Sequence, residues 1–130
     1  MPQREERLAG QGRELTRLLL QDHLDLRAVR EQRQQRVVDA ERVAHTRIEG
    51  GHQRGLATVF GQVTVARMAY RAPGGRNLHP ADAILNLPAG KHSHGLRRLA
   101  ARESVRGSFE QAADAIWRTT GVRMGKRQIE

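Results

Sequence analysis

The chain has 130 residues, with 23 Lys+Arg against 14 Asp+Glu and a formal charge of +9, which is length for about one domain with a bias toward polyanionic partners. It contains no cysteine, which excludes disulfides, cysteine-based zinc sites and thiol catalysis. No apolar stretch is longer than Leu18 to Leu20, far shorter than a membrane span or the apolar core of a signal peptide, so a cytoplasmic protein with no membrane partner is expected.

Aromatic residues are limited to Phe60, Tyr70, Phe109 and Trp117, so the core must come from Leu, Val, Ile and Ala. Basic residues concentrate toward the C-terminus. Residues 1–35 carry 7 basic and 6 acidic groups, residues 36–90 carry 7 and 4, and residues 91–130 carry 9 and 4.

Residues 13–34 read as a helix, because Leu15, Leu18, Leu19, Leu26 and Val29 recur at spacings that line one side. Gly10 and Gly12 blur its start. From Arg36 the period changes to two: Val37–Val38, 42–48, 53–60 and 63–71 are short segments rich in Val, Thr and Ile. Asp39 to Glu41, Gly50–Gly51 and Gly61–Gln62 separate them, which predicts an antiparallel meander. Gly61–Gln62 fits a two-residue hairpin turn with glycine first. One face of the meander is expected to pack on the leucine-rich helix and the other to be partly wet.

Ala72 to Gly75 and the residues up to Pro88 read as a loop with a short turn or helix. Ser93 is a good N-cap for a helix over about 94–106, with Leu96, Leu99, Ala100 and Val105 inward and Arg97, Arg98, Arg102 and Arg106 outward. Gly107 ends it. Ser108 with Gln111 three residues on matches a capping box, and Phe109, Ala112, Ala113, Ile116 and Trp117 form a helical stripe expected to face inward. Thr120–Gly121 supplies a stop. Val122 and Met124 then plug the turn, and residues 126–130 open a further helix with Ile129 inward.

The fold class is therefore α+β: an N-terminal amphipathic helix (1–34), a small antiparallel meander (35–72), a loop linker (73–90) and a helix-turn-helix-like segment (91–130) whose last helix is cut short at Glu130. In a helix-turn-helix the second helix places its first residues on base edges. Lys126, Arg127 and Gln128 are then the candidates for DNA contact, with Arg118 and Arg123 as phosphate clamps. A three-helix bundle with a basic surface gives the same pattern.

Other candidate sites are weak. His92 and His94 lack further ligands at zinc spacing, so a helix-start role is the simpler reading. Gly50–Gly51 and Gly74–Gly75 lack the strand, glycine loop and helix order of a phosphate cradle. The aspartates Asp22, Asp25, Asp39, Asp82 and Asp114 are scattered, and no catalytic or metal-binding residue is assigned.

Taken together, the runs GRELTRLLLQDHLDLR at 12–27, GLATVFGQVTV at 55–65, AYR at 69–71, LHPAD at 78–82, LNLP at 85–88, SHGLRRLA at 93–100, RGSFE at 106–110, TG at 120–121 and GKRQ at 125–128 resemble the N-terminal region of bacterial insertion-sequence transposases of the ISKra type. The resemblance spans nearly the whole chain. It implies recognition of transposon ends (double-stranded DNA terminal repeats), with nucleoid association and with self-association or association with a full-length transposase. Family members continue into a ribonuclease-H-like domain with three acidic residues that hold Mg²⁺ for DNA cleavage and strand transfer. That domain has no counterpart here, so the resemblance implies a truncated copy, inactive alone and with no cofactor in this chain. The competing class is a small basic RNA-binding or ribosome-associated protein. A chain that fails to fold would leave Trp117 in water, since the helix expected to cover it is incomplete.

Overall fold

The computed structural model describes residues 1–125 and Ile129. It has an α+β architecture, with helices α1 (Pro2–Arg30), α2 (Pro80–Ile84), α3 (His94–Arg106) and α4 (Phe109–Thr120) and strands β1 (Val37–Val38), β2 (Ala44–His45), β3 (Arg47–Thr58) and β4 (Gly61–Arg71).

The strands form two separate antiparallel pairs, β1 with β2 and β3 with β4, rather than one meander. Only Thr46 lies between β2 and β3, too little chain to turn back, so β2 runs straight on into β3. Gly50–Gly51 is likewise no turn. The register slips there, from Glu49 opposite Ala69 to His52 opposite Arg67, and Gly51 has φ +71°. Two residues face one across the ladder, a bulge that glycine's access to positive φ permits.

The long hairpin closes at Val59–Phe60, not at Gly61–Gln62, because Thr58 pairs directly with Gly61. The Thr58 hydroxyl fixes that turn: it accepts from the Phe60 N–H at 3.1 Å and donates to the Gly61 carbonyl at 2.8 Å. Leu56 therefore faces Val63 instead of Arg67. Each strand has slipped by two residues relative to the sequence expectation, an even shift that keeps the paired side chains from Leu56 to Thr58 on their expected faces.

Helix α1 starts well before residue 13 and runs through Gly10 and Gly12, each costing about 1 kcal/mol relative to alanine. It packs along β4, but not by the side expected. Leu15, Leu18, Leu19, Leu26 and Val29 are all exposed, whereas Leu24 is buried and Leu20 packs beside it. The reason lies in the outer edge of β4, whose backbone groups lack a neighbouring strand. Arg17 donates to the Gln62 carbonyl at 3.3 Å, and Gln21 donates to the Thr64 carbonyl at 2.7 Å while accepting from the Thr64 N–H at 2.8 Å. Glu31, just past the helix, accepts from the Met68 N–H at 2.9 Å. Leu78 continues the edge by exchanging two backbone hydrogen bonds with Tyr70, both 2.8 Å. An open strand edge is thus closed by polar side chains rather than by a third long strand.

Two apolar clusters complete the fold. Leu24, Leu56, Val63 and Val65, with Leu20, Leu85 and Leu87, join α1 and the segment after α2 to one face of the hairpin. Ala57, Leu96, Ala100, Ala112, Ile116, Met124 and Ile129, with Val59, Leu99, Ala113 and Val122, join the other side of the hairpin's closed end to α3, α4 and the chain beyond. That side, expected to be partly wet, is dry there.

Candidate nucleic-acid interface

Helices α3 and α4 meet at a tight corner that local chemistry defines. Ser93 caps α3, its hydroxyl accepting from the Leu96 N–H at 3.1 Å. Ser108 and Gln111 cap α4 reciprocally: the Gln111 N–H donates to the Ser108 hydroxyl at 3.2 Å, and the Ser108 N–H donates to the Gln111 side chain at 3.1 Å. Gly121 ends α4 with φ +73° and donates its N–H to the Trp117 carbonyl at 2.9 Å. The chain then turns back, burying Met124 and Ile129 against Leu96, Ala100, Ala112 and Ile116. The Ile129 N–H donates to the Gly125 carbonyl at 3.3 Å, a hydrogen bond of helical spacing.

Side chains expected inward face outward at the margins of both helices. Val105 is 87% exposed, because the side α3 buries carries Leu96 and Ala100, with Leu99 partly covered, and Val105 lies off it. In α4 the packed line is Ala112, Ile116 and Thr120, so Phe109 and Trp117 at its margin stay 38% and 42% exposed. Trp117 is therefore only partly covered in the folded chain.

The cationic groups lie around this corner. Arg97, Arg98, Arg102 and Arg106 on α3, and Lys91, Arg118 and Arg123 around it, are exposed. Arg106 pairs with half-buried Glu103 at 3.7 Å, and Arg118 pairs with Asp114 at 3.0 Å in the open, where such a pair exchanges readily for other anions. Arg97, Arg98, Arg102 and Arg123 form no ion pair with another described residue. The Arg123 guanidinium sits 4.1 Å over the Trp117 ring, a cation–π contact that orients it while leaving its N–H groups outward. The carbonyls of Arg118 and Thr119 accept from Arg13 at 3.3 Å, which anchors the end of α4 to α1. Lys126, Arg127 and Gln128 lie outside the described residues.

An open cleft of about 510 Å³ runs between the outer edge of β3 and the end of α4, with Arg54, Lys91, His92, Gln62 and Arg123 in its lining. The 91–93 segment is held there by backbone bonds, Ala57 N–H to the Lys91 carbonyl and Ser93 N–H to the Ala57 carbonyl, both 2.8 Å. Burial, then Arg97 and Lys91, hold His92 below the usual histidine range, so its neutral form is favoured. No sequence pattern places Lys91 and His92 at this site, because they reach Arg123 only through the pairing with Ala57. His94 Nε2 lies 3.1 Å from the Asn86 carbonyl, a hydrogen bond that requires this nitrogen to carry the proton. Among the described residues no three His, Cys, Asp or Glu side chains are grouped to hold a metal ion, and no helix is long and apolar enough to cross a membrane.

No protein-family model, curated protein or solved structure matches this chain.

Proposed function

We propose that the chain is the DNA-binding N-terminal portion of an ISKra-type insertion-sequence transposase, which recognises the terminal repeats of its element in the bacterial nucleoid. The activity proposed for these residues is duplex binding. The observation that carries it is the cationic surface on the doubly capped α3–α4 corner, where Arg97, Arg98, Arg102 and Arg123 are exposed without a carboxylate partner among the described residues. Exposed guanidinium groups of this kind suit phosphate contacts. Arg118 joins them by releasing Asp114, and the assignment of Lys126, Arg127 and Gln128 to base edges rests on the sequence pattern.

The test is a titration of the chain against a duplex carrying the terminal repeat and a scrambled duplex, each at two salt concentrations. A preference for the repeat that survives higher salt supports end recognition. Equal and salt-labile affinity for both leaves only the electrostatic term, and salt-independent binding overturns the phosphate-clamp reading. A second reading, RNA or other single-stranded binding, is favoured by exposed Trp117 and Phe109 beside Arg123, which offer bases a stacking surface. Competition by single-stranded RNA at the duplex's own concentration would select it.

A further inference from the structure

The leucines that leave the core form an ordered surface. On a helix turning about 100° per residue, the residues that meet the hairpin and the end of α4 (Arg13, Arg17, Leu20, Gln21, Leu24) lie on one side of α1. Leu8, Leu15, Leu19, Leu26 and Val29 lie on the opposite side, 66%, 61%, 61%, 48% and 84% exposed. With Gly12 and Asp22 inserted among them, their spacing alternates in fours and threes, a heptad seam along a helix about 43 Å long. Contiguous apolar exposure of this kind marks an interaction surface rather than ordinary scatter.

We propose that this seam pairs with the same seam of a second copy, in an antiparallel, two-fold symmetric helix pair. The charges choose both the occupant and the direction. A parallel pair sets Asp22 against Asp22 inside the seam, a like-charge contact in an apolar setting. An antiparallel pair centred between Gly12 and Asp22 sets Leu19 against Leu15, Leu26 against Leu8, and Asp22 against Gly12 of the other copy. Gly12 is an open position, with no atom within 4 Å of where a side chain would start, so the carboxylate has room to keep its water. Leu18, 45% exposed, then meets its own copy at the two-fold axis, and Gln11 comes beside Asp25 of the other copy as a hydrogen-bond donor. Only Val29, opposite Glu5 at the open ends, lacks an apolar partner. The sequence of α1 is thus complementary to itself when reversed and not when aligned, which a self-pairing two-fold interface requires. The inference stands on α1 alone and does not depend on what α3 and α4 bind.

The experiment is sedimentation equilibrium of the whole chain over a concentration series, with two sets of variants. A concentration-dependent monomer–dimer equilibrium is expected. The double substitution Leu15→Glu with Leu19→Glu, at exposed positions, should weaken it by about 100-fold or more, since four leucines leave the dimer seam. Circular dichroism at matched concentration checks that the double variant keeps its helices. Because the chain has no cysteine, direction can be read by oxidation. Leu18→Cys alone should cross-link two copies, Leu8→Cys alone should not, and Leu8→Cys with Leu26→Cys should. A monomer throughout overturns the pairing. Cross-linking by Leu8→Cys alone, without Leu18→Cys, overturns the antiparallel arrangement.

Discussion

Asp82 illustrates how much one side chain carries in a chain with so few large apolar residues. Its carboxylate accepts from Arg67 Nε at 3.1 Å and from Arg54 Nη1 at 3.4 Å. Arg67 is buried, and Arg54 is also fastened to the Pro88 and Gly90 carbonyls, so α2 and the loop after it are pinned to the hairpin through charge. Asp82→Ala leaves Arg67 buried without its carboxylate. Breaking a buried pair costs about 3–5 kcal/mol, and the partial exposure of Asp82 reduces this to roughly 2–4 kcal/mol. Urea denaturation measures it, and a midpoint unchanged from wild type would show that water already serves Arg67. Asp39 works differently. It accepts from His45 Nε2 and from the Glu41 and Val43 N–H groups, all at 2.9 Å. The His45 hydrogen bond first, then the Val43 and Glu41 N–H groups, hold its carboxyl below the usual range. His45 Nδ1 faces the Tyr70 carbonyl at 3.2 Å. A depressed folded value stabilises the fold above the unfolded value of about 3.9 and loses that contribution as pH falls through the folded one. Wild type should therefore lose melting temperature below about pH 4 more steeply than Asp39→Asn. Parallel curves for the two proteins would exclude Asp39 as a source of the acid sensitivity.

At the scale of elements, the capped corner gives the most direct numbers. Ser108→Ala removes the hydroxyl that accepts from Gln111 and should cost about 1 kcal/mol. Gly121→Ala places a side chain at positive φ, costing about 1–2 kcal/mol, and brings its Cβ to 3.4 Å from the Arg13 guanidinium. Thermal melts of the two variants and their double check both costs; because Gly121 and Ser108 sit at opposite ends of α4, the losses should add. That these elements are legible in sequence and others are not has a physical cause. Caps, stops and the line Ala112 to Ile116 depend on neighbours within a turn or two. The face α1 docks by does not: hydropathy ranks Leu15 above Arg17 and Gln21, but the outer edge of β4 needs donors and acceptors, and only the polar side supplies them. The hairpin turn escapes the sequence pattern for a related reason, since the glycine at Gly61 is as useful just after the turn as inside it, and the Thr58 hydroxyl decides. Trp117 and Val105 fit the helical period, but the period cannot tell where the covering element ends. Arg123 is legible as a basic residue; its seat on Trp117 is not.

For the molecule as a whole, two exposed surfaces, one apolar and one cationic, are linked through the docking of α1. Because α1 docks by the side that carries Arg17, Gln21 and Leu24, its Leu8, Leu15, Leu18, Leu19 and Leu26 face outward, while Arg13 of the same helix secures the end of α4 that presents Arg118 and Arg123. Binding of duplex DNA by the cationic surface would show in its salt dependence. Arg98 and Arg102, one turn apart on α3, share a side, and each phosphate no longer neutralised lowers the slope of log affinity against log salt by about 0.9. Replacing both with glutamine should reduce the slope by about 1–2, with similar weakening on repeat and scrambled duplexes, because phosphates carry no sequence. His92 adds a pH dependence with a definite sign. Burial, Arg97 and Lys91 disfavour its protonated form in the free chain. A phosphate drawn to the cleft offsets those two cations and favours the proton, so binding takes one up. Affinity for duplex DNA should therefore rise as pH falls from about 8 toward about 6, and His92→Gln should flatten the rise without abolishing binding at the upper end. Titrations in two buffers of different ionisation enthalpy would detect the proton directly. Uptake that persists in His92→Gln would place the titrating group elsewhere and remove the cleft from the binding surface.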